Sequence, residues 1–240
     1  MLIWANKEFI IYKTKQQRGQ NMRIRKKKNL ESRLNKCTNL VSINCYNKDF
    51  RETEKNYIDF DKIFKNLNPT HLEIGCGKGQ FVCQMAKRHH EINFIAVEKC
   101  SNVIVQACEN ALKENLDNII FIKMDAEYIN NYIKDNIIDR LYLNFSCPFP
   151  KKKHESHRLT NYHFLLSYKK ILTENAEIWQ KTDNMHFFEY SIEQYTKARM
   201  VLSEVTFDLH NTDFKDNIIT EYENRFISQG LPIYRLVAKF

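Results

Sequence analysis

The chain has 240 residues, enough for one α/β domain with a modest extension and short for two independent cores. Its 43% hydrophobic and 12% aromatic content can build a core, while the longest apolar runs, such as Ile92 to Val97, fall far short of a membrane span. The net charge of +8 is concentrated: residues 1–36 hold eleven Lys/Arg against two Glu, which leaves the other 204 residues at −1 and describes a near-neutral body with a basic arm.

Lys7, Glu8, Lys13 and Lys15 interrupt the apolar residues of the first seventeen, so no secretory signal core is expected. The seven cysteines are odd in number and never fall as Cys-x-x-Cys, which argues for reduced, cytoplasmic thiols and against a disulfide framework or zinc finger. The segment from Met22 to Lys28 carries five cations in seven residues, a density that suits either a solvated tail or contact with phosphates. The arm is therefore taken as residues 1–36, with 1–21 reading as an extension, and the folded domain as 37–240.

In chain order, short apolar strands are expected at His71–Ile74, Ile92–Val97, Asn118–Ile122 and Ile138–Phe145. Helical spacing lies between them at Phe81–His89 and Ser101–Asn115. Beyond these come a helix at Glu155–Leu172, a strand at Glu177–Lys181, a helix at Met185–Ser203 and a strand at Val205–His210. A helix at Ile219–Gln229 and a last strand at Ile233–Lys239 complete the pattern. Strand–helix alternation of this kind gives right-handed crossovers and a mostly parallel, twisted, Rossmann-like sheet with helices on both faces. The helix and strand just before the terminus suit a final antiparallel strand.

Three of the five glycines sit in Leu72-Glu-Ile-Gly-Cys-Gly-Lys-Gly79, where a strand turns into a helix and the missing Cβ atoms let a ligand approach the backbone. A P-loop would need Ser or Thr after Lys78, and a dinucleotide fingerprint would place its third glycine one residue later. The remaining reading is a site for S-adenosylmethionine, with Gly75 and Gly77 shaping the turn and Glu73 holding the ligand's amino group. Glu98 ends the next strand, where a carboxylate can accept both ribose hydroxyls, and Asp125 ends the third, where it could accept from an adenine amino group. Each acid alone would pass for a helix cap; three in register after a glycine turn point to a ligand.

The fourth strand runs into Asn144-Phe-Ser-Cys-Pro-Phe-Pro-Lys-Lys-Lys-His-Glu-Ser-His-Arg158, which combines a rigid turn with a basic segment suited to a base and its phosphates. His154 and His157 have no third ligand spaced with them, so no metal site is expected.

With Tyr142-Leu-Asn-Phe-Ser146, Pro150-Lys-Lys-Lys-His-Glu155, Lys181-Thr-Asp-Asn184, Phe188-Glu-Tyr-Ser191, Asp208-Leu-His210, Thr220-Glu-Tyr-Glu223 and Ile233-Tyr-Arg235 in this order, the chain resembles the bacterial tRNA (guanine-N7)-methyltransferase family over roughly residues 22–240. The resemblance implies a class I methyltransferase that moves a methyl group from S-adenosyl-L-methionine to N7 of a guanine in the variable loop of tRNA. It implies cofactor contacts at Glu73, Glu98 and Asp125 and at position 147, and substrate contacts at Lys151, Asp183, Thr220, Glu221, Tyr222 and Glu223. RNA contacts are implied at Lys153, His154, Glu155, Ser156, His157 and Arg158. It implies neither membrane nor metal, and leaves the choice of monomer or homodimer open.

One departure stands out: the family has Asp-Pro-Trp-Pro where this chain has Cys147-Pro-Phe-Pro150, so the acid usually assigned to the active site is a cysteine. Guanine N7 holds an exposed lone pair and needs no deprotonation, so alignment of donor and acceptor can supply much of the rate. A thiol nonetheless lacks the charge that a carboxylate would place beside the developing cation. The expectation is a slowed but competent enzyme, with a catalytically silent tRNA- and cofactor-binding homologue as the alternative. A cysteine nucleophile acting on cytosine C5, or an amino-methylating turn of the Asn/Asp-Pro-Pro-Phe kind, would use the same residues, but the downstream motifs match neither.

Overall fold

The computed structural model describes residues 26–43, 55–215 and 217–240. An eight-stranded sheet runs through the molecule. Its strands are β1 (Leu40–Ser42), β2 (Thr70–Ile74), β3 (Asn93–Glu98), β4 (Ile119–Lys123), β5 (Ile138–Asn144), β6 (Leu172–Thr182), β7 (Val201–Thr206) and β8 (Tyr234–Lys239). They lie in the order β1-β4-β3-β2-β5-β6-β8-β7. The six strands from β1 to β6 pair in parallel, and β8 enters antiparallel between β6 and β7.

The strand sequences explain the two-sided burial. In β3 and β4 successive apolar residues alternate between faces: Phe94, Ala96, Ile119 and Phe121 pack with helices α3 (Gln80–Arg88) and α4 (Ser101–Lys113). Ile95, Val97, Ile120 and Ile122 pack on the opposite face with α5 (Ile129–Tyr132), α6 (Tyr162–Ile171) and α7 (Met185–Lys197). Helices on both faces of a parallel sheet are what continuous apolar strands demand. On α4, Ile104, Ala107, Cys108 and Ala111 are fully buried, while Leu112, which shares their helical spacing, is half-buried.

Several expected boundaries move. The helix expected from Glu155 begins at Tyr162, because Asn161 caps it through His163 N, and Lys152–His157 form a separate 3-10 turn. The strand expected at Glu177–Lys181 starts at Leu172, directly after α6. The helix expected to reach Ser203 stops at Lys197, with Arg199 in the left-handed region, so β7 opens at Val201, and Leu209–Asn211 form a short 3-10 turn. The last helix, α8 (Glu221–Ile227), starts two residues late because Thr220 accepts from Glu223 N as its cap.

Short elements that the apolar pattern does not announce are α1 (Leu30–Asn35), β1 and α2 (Phe60–Phe64). Leu40 and Val41 extend the sheet beside Phe121 and Ile122. Arg33 donates to both carboxylate oxygens of Glu109 on α4 at 2.7 and 2.6 Å, and Lys27 N donates to Asn102, so the second part of the basic arm is docked on the domain. Residues 1–21 and the first cations of the basic run, Arg23 and Arg25, lie outside the described residues. Among the described residues no helix is long and apolar enough to cross a membrane.

Candidate active site

The carboxyl ends of β2, β3, β4 and β5 form one edge of the sheet, and the glycine turn between β2 and α3 lies on it. Gly75, Gly77 and Gly79 all have positive φ, at 80°, 57° and 75°, a region in which a Cβ is strained. Their surroundings differ. A Cβ on Gly77 would meet nothing within 4 Å, whereas one on Gly79 would stand 2.7 Å from the Ala107 Cβ. Gly79 thus allows α3 to approach α4, and Gly77 leaves its backbone open on the cavity side. Glu98 braces this turn by accepting from Gly77 N at 3.3 Å and from Cys100 N at 2.9 Å.

Glu73 is nearly fully buried. Its Oε1 accepts from Asn144 Nδ2 at 3.0 Å, while its buried Oε2 has no partner among the described residues. Burial pushes its pKa up to about 7, opposed by the Asn144 hydrogen bond and the Lys181 charge. An uncompensated buried carboxylate oxygen at the mouth of a glycine turn fits an incoming ammonium group.

Two cavities meet at Gly75 and Phe145. The first, about 370 Å³, is lined by Glu73, Gly77, Asn144, Thr220, Glu221 and Tyr222 among others. The second, about 540 Å³, is lined by Glu98, Asp125, Phe145 to Cys147, Phe149, Ser156 and His157 among others. Asp125 caps the short 3-10 turn after β4 by accepting from Glu127 N, with Lys99 at 3.6 Å, and also lines the second cavity. Gln80 Oε1 accepts from Glu221 N at 2.6 Å and ties the first turn of α3 to that of α8.

The turn after β5 is held in an unusual conformation. Phe145 and Phe149 have φ of 51° and 39°, values that cost a bulky residue energy unless its surroundings enforce them. Arg158 supplies part of that enforcement by donating Nε to Pro148 O at 2.9 Å and Nη2 to Phe149 O at 3.1 Å, with its guanidinium 4.2 Å from the Tyr190 ring centre. It therefore points into the fold, unlike the exposed Lys151, Lys153, Ser156 and His157 of the same segment; His154 and Glu155 are half-buried. Cys147 is exposed on this turn. Phe145 lies against Tyr222 at 5.1 Å between ring centres, and burial, with the nearby Asp183 charge, raises the pKa of the Tyr222 hydroxyl. Burial raises the Asp183 carboxyl as well.

Glu223 is placed differently from the other substrate candidates. It is fully buried, its Oε2 accepts from Lys181 Nζ at 2.8 Å and its Oε1 from Asn217 Nδ2 at 2.7 Å, with His210 Nε2 3.4 Å away. Both its oxygens are engaged from inside the fold, and it lines neither cavity, so it faces the interior rather than the place of a base. Asn144, Gln80 and Lys181 went unassigned in the sequence. Asn144 and Lys181 are paired across β5 and β6, and polar residues facing each other in buried strands are the signal that identifies them. Among the described residues no three His, Cys, Asp or Glu side chains group as a metal site.

Residues 67–236 match a family model described as "Putative methyltransferase". A protein of Listeria monocytogenes serotype 4b (strain F2365) named tRNA (guanine-N(7)-)-methyltransferase is 46% identical over 179 residues, covering 75% of this chain and 84% of that protein. One of the same name from Listeria innocua serovar 6a is 45% identical over 190 residues, covering 78% and 89%. Among solved structures, the 16S rRNA methyltransferase KamB overlaps with a TM-score of 0.57 at 12% identity, covering 76% of this chain and 94% of that one. A 30S ribosomal A1408 methyltransferase from an uncultured bacterium overlaps at 0.53 and 17%, covering 77% and 95%. At such identities the overlap speaks for the fold alone.

Proposed function

The chain belongs to the tRNA (guanine-N(7)-)-methyltransferase family, and we propose that it transfers a methyl group from S-adenosylmethionine to N7 of a guanine in the variable loop of tRNA, in the cytoplasm. The observation that carries this reading is the convergence of Glu73, Glu98 and Asp125 with the glycine turn on the sheet edge that also bears the Asn144–Pro150 turn.

S-adenosylmethionine supplies an electrophilic sulfonium methyl when bound. Glu73 offers its free oxygen to the ligand's ammonium, Glu98 faces the ribose and Asp125 the adenine. Phe145, Cys147, Phe149 and Tyr222 bound the place where a base would enter, and the exposed Lys151 and Lys153 meet phosphates. Because N7 attacks through its own lone pair, the residues' task is to align base and methyl and to shed water. Cys147 contributes shape at this position without a carboxylate's charge.

Nucleoside mass spectrometry of N7-unmethylated tRNA incubated with S-adenosylmethionine and either this protein or its Cys147→Asp variant tests the proposal. N7-methylguanosine from the unaltered protein is the expected result. Product from the variant alone would mark a scaffold whose chemistry has lapsed, and no product from either, in samples that bind both ligands, would refute the assignment.

A further inference from the structure

A third cavity, about 270 Å³, lies on the α3 face of the sheet, walled by Phe81, Met85 and Arg88 on α3, by β5, β6 and β8, and by Phe214, Asn217 and Ile218. It shares Phe81 and Asn144 with the first cavity but serves none of the roles above. Where the opposite face of these strands carries Leu141, Leu143, Ile178 and Leu236, this one presents Arg140, Tyr142, Trp179, Lys181 and Arg235.

These side chains form a ladder. The Arg140 guanidinium stands 4.3 Å and that of Arg235 4.6 Å from the Trp179 ring centre, and Arg235 is also 4.1 Å from that of Phe214. Glu177 and Glu204 each hold one of the arginines in place, at 3.2 and 2.7 Å. Of the four Lys/Arg lining the cavity, Arg140, Arg235 and Lys181 are paired with Glu177, Glu204 and Glu223, so the attraction for an anion rests on Arg88 at the rim and on the arginine N–H groups left over. Arg140 Nε and Arg235 Nη2 are buried in its wall without an acceptor. Flat aromatic and guanidinium surfaces suit a nucleobase, and arginine N–H groups suit its phosphate. At about 270 Å³ the volume lies just below the usual range of ligand cavities, which limits it to a single small unit.

We propose that this cleft is a second nucleotide site, which holds one nucleotide unit beside the cofactor region. Continuity with the first cavity favours the substrate RNA as the source, so this part rests on the tRNA reading; a free mononucleotide has the same chemistry. Arg88, exposed at the rim, is the cation whose loss leaves the buried ladder intact, and Lys87 on the same helix lies outside the lining.

The test uses the full chain with Trp4→Phe, so that Trp179 is its single tryptophan, titrated with unmodified tRNA, guanosine monophosphate, guanosine and inorganic phosphate. Saturable change of Trp179 emission is expected with tRNA and more weakly with the mononucleotide, with Arg88→Glu weakening both about tenfold and Lys87→Glu less than twofold. A response to the mononucleotide alone assigns the cleft to free nucleotides. No saturable response, an equal response to phosphate alone, or equal effects of the two charge reversals would overturn the proposal. Mass spectrometry of the same tRNA separates the readings, because absent N7-methylguanosine with intact emission changes refutes the methylation and leaves the cleft standing.

Discussion

Replacing Glu73 by Gln is expected to make the cofactor-free protein more stable and a much weaker binder of S-adenosylmethionine. The fold raises this buried carboxyl from 4.5 to about 7, so its neutral form is favoured. The associated stability is complete below pH 4.5 and lost as pH rises through 7. At 1.36 kcal/mol per pH unit the ionised group costs roughly 3 kcal/mol at pH 8, and Gln removes that cost. Its new amide N–H groups replace the orphan oxygen and need acceptors, which reduces the gain to about 1–3 kcal/mol, or roughly 2–12 °C in melting temperature for a domain of this size. Thermal melts at pH 8 should show the variant above wild type, and at pH 5, where wild-type Glu73 is already protonated, the gap should close. Calorimetric titration with S-adenosylmethionine should show affinity weakened about a hundredfold. A variant that is no more stable at pH 8, or equally stabilised at both pH values, would refute the account of Glu73 as an unsatisfied anion awaiting a cation.

Wild-type affinity for S-adenosylmethionine should rise nearly tenfold between pH 6 and 8 as Glu73 ionises around 7; a flat profile by titration calorimetry would exclude Glu73 as the ammonium's partner. Gly79→Ala should destabilise the protein by about 1–3 kcal/mol in urea melts, because its Cβ meets Ala107, whereas Gly77→Ala should cost less stability and impair cofactor binding more. Arg158→Ala should lower kcat by about ten- to a hundredfold with the KM for tRNA changed less than threefold, since the residue holds the Pro148–Phe149 turn; a rise in KM alone would make it an RNA contact. Lys181→Met should cost about 3–5 kcal/mol in urea unfolding by stranding Glu223, and adding Glu223→Leu should restore most of it.

The central sheet was legible because β2 to β5 are apolar on both faces, and that pattern has few other uses. The gathering of Glu73, Glu98 and Asp125 on one sheet edge was legible because a chemical pattern repeats: a glycine turn followed by acids at successive strand ends. What escaped was set by partners distant in sequence. Leu40–Ser42 become a strand only because β4 offers a free edge. The halt at Lys197 depends on Arg199 turning left-handed before Val201 joins β8. The inward role of Arg158 is equally invisible in a run of cations, since charge density does not say which guanidinium will find two carbonyls. Glu223, three residues after Thr220 and next to the cavity-lining Tyr222, is fully buried and illustrates how neighbouring letters of one motif face opposite environments.

The turn around Cys147 joins these threads. Its backbone is fixed from three directions: Arg158 grips two carbonyls, Phe145 N donates to Lys181 O, and the Phe145 ring abuts Tyr222. None of these constraints passes through the side chain at 147, so the wall of the cofactor cavity is built without an acid there. A reaction that depends on proton removal would lose its carboxylate base here, but a lone pair already exposed on N7 needs only a held geometry. For the proposed reaction the demand on position 147 is therefore electrostatic and partial, and alignment by the surrounding residues would carry the larger share of the rate.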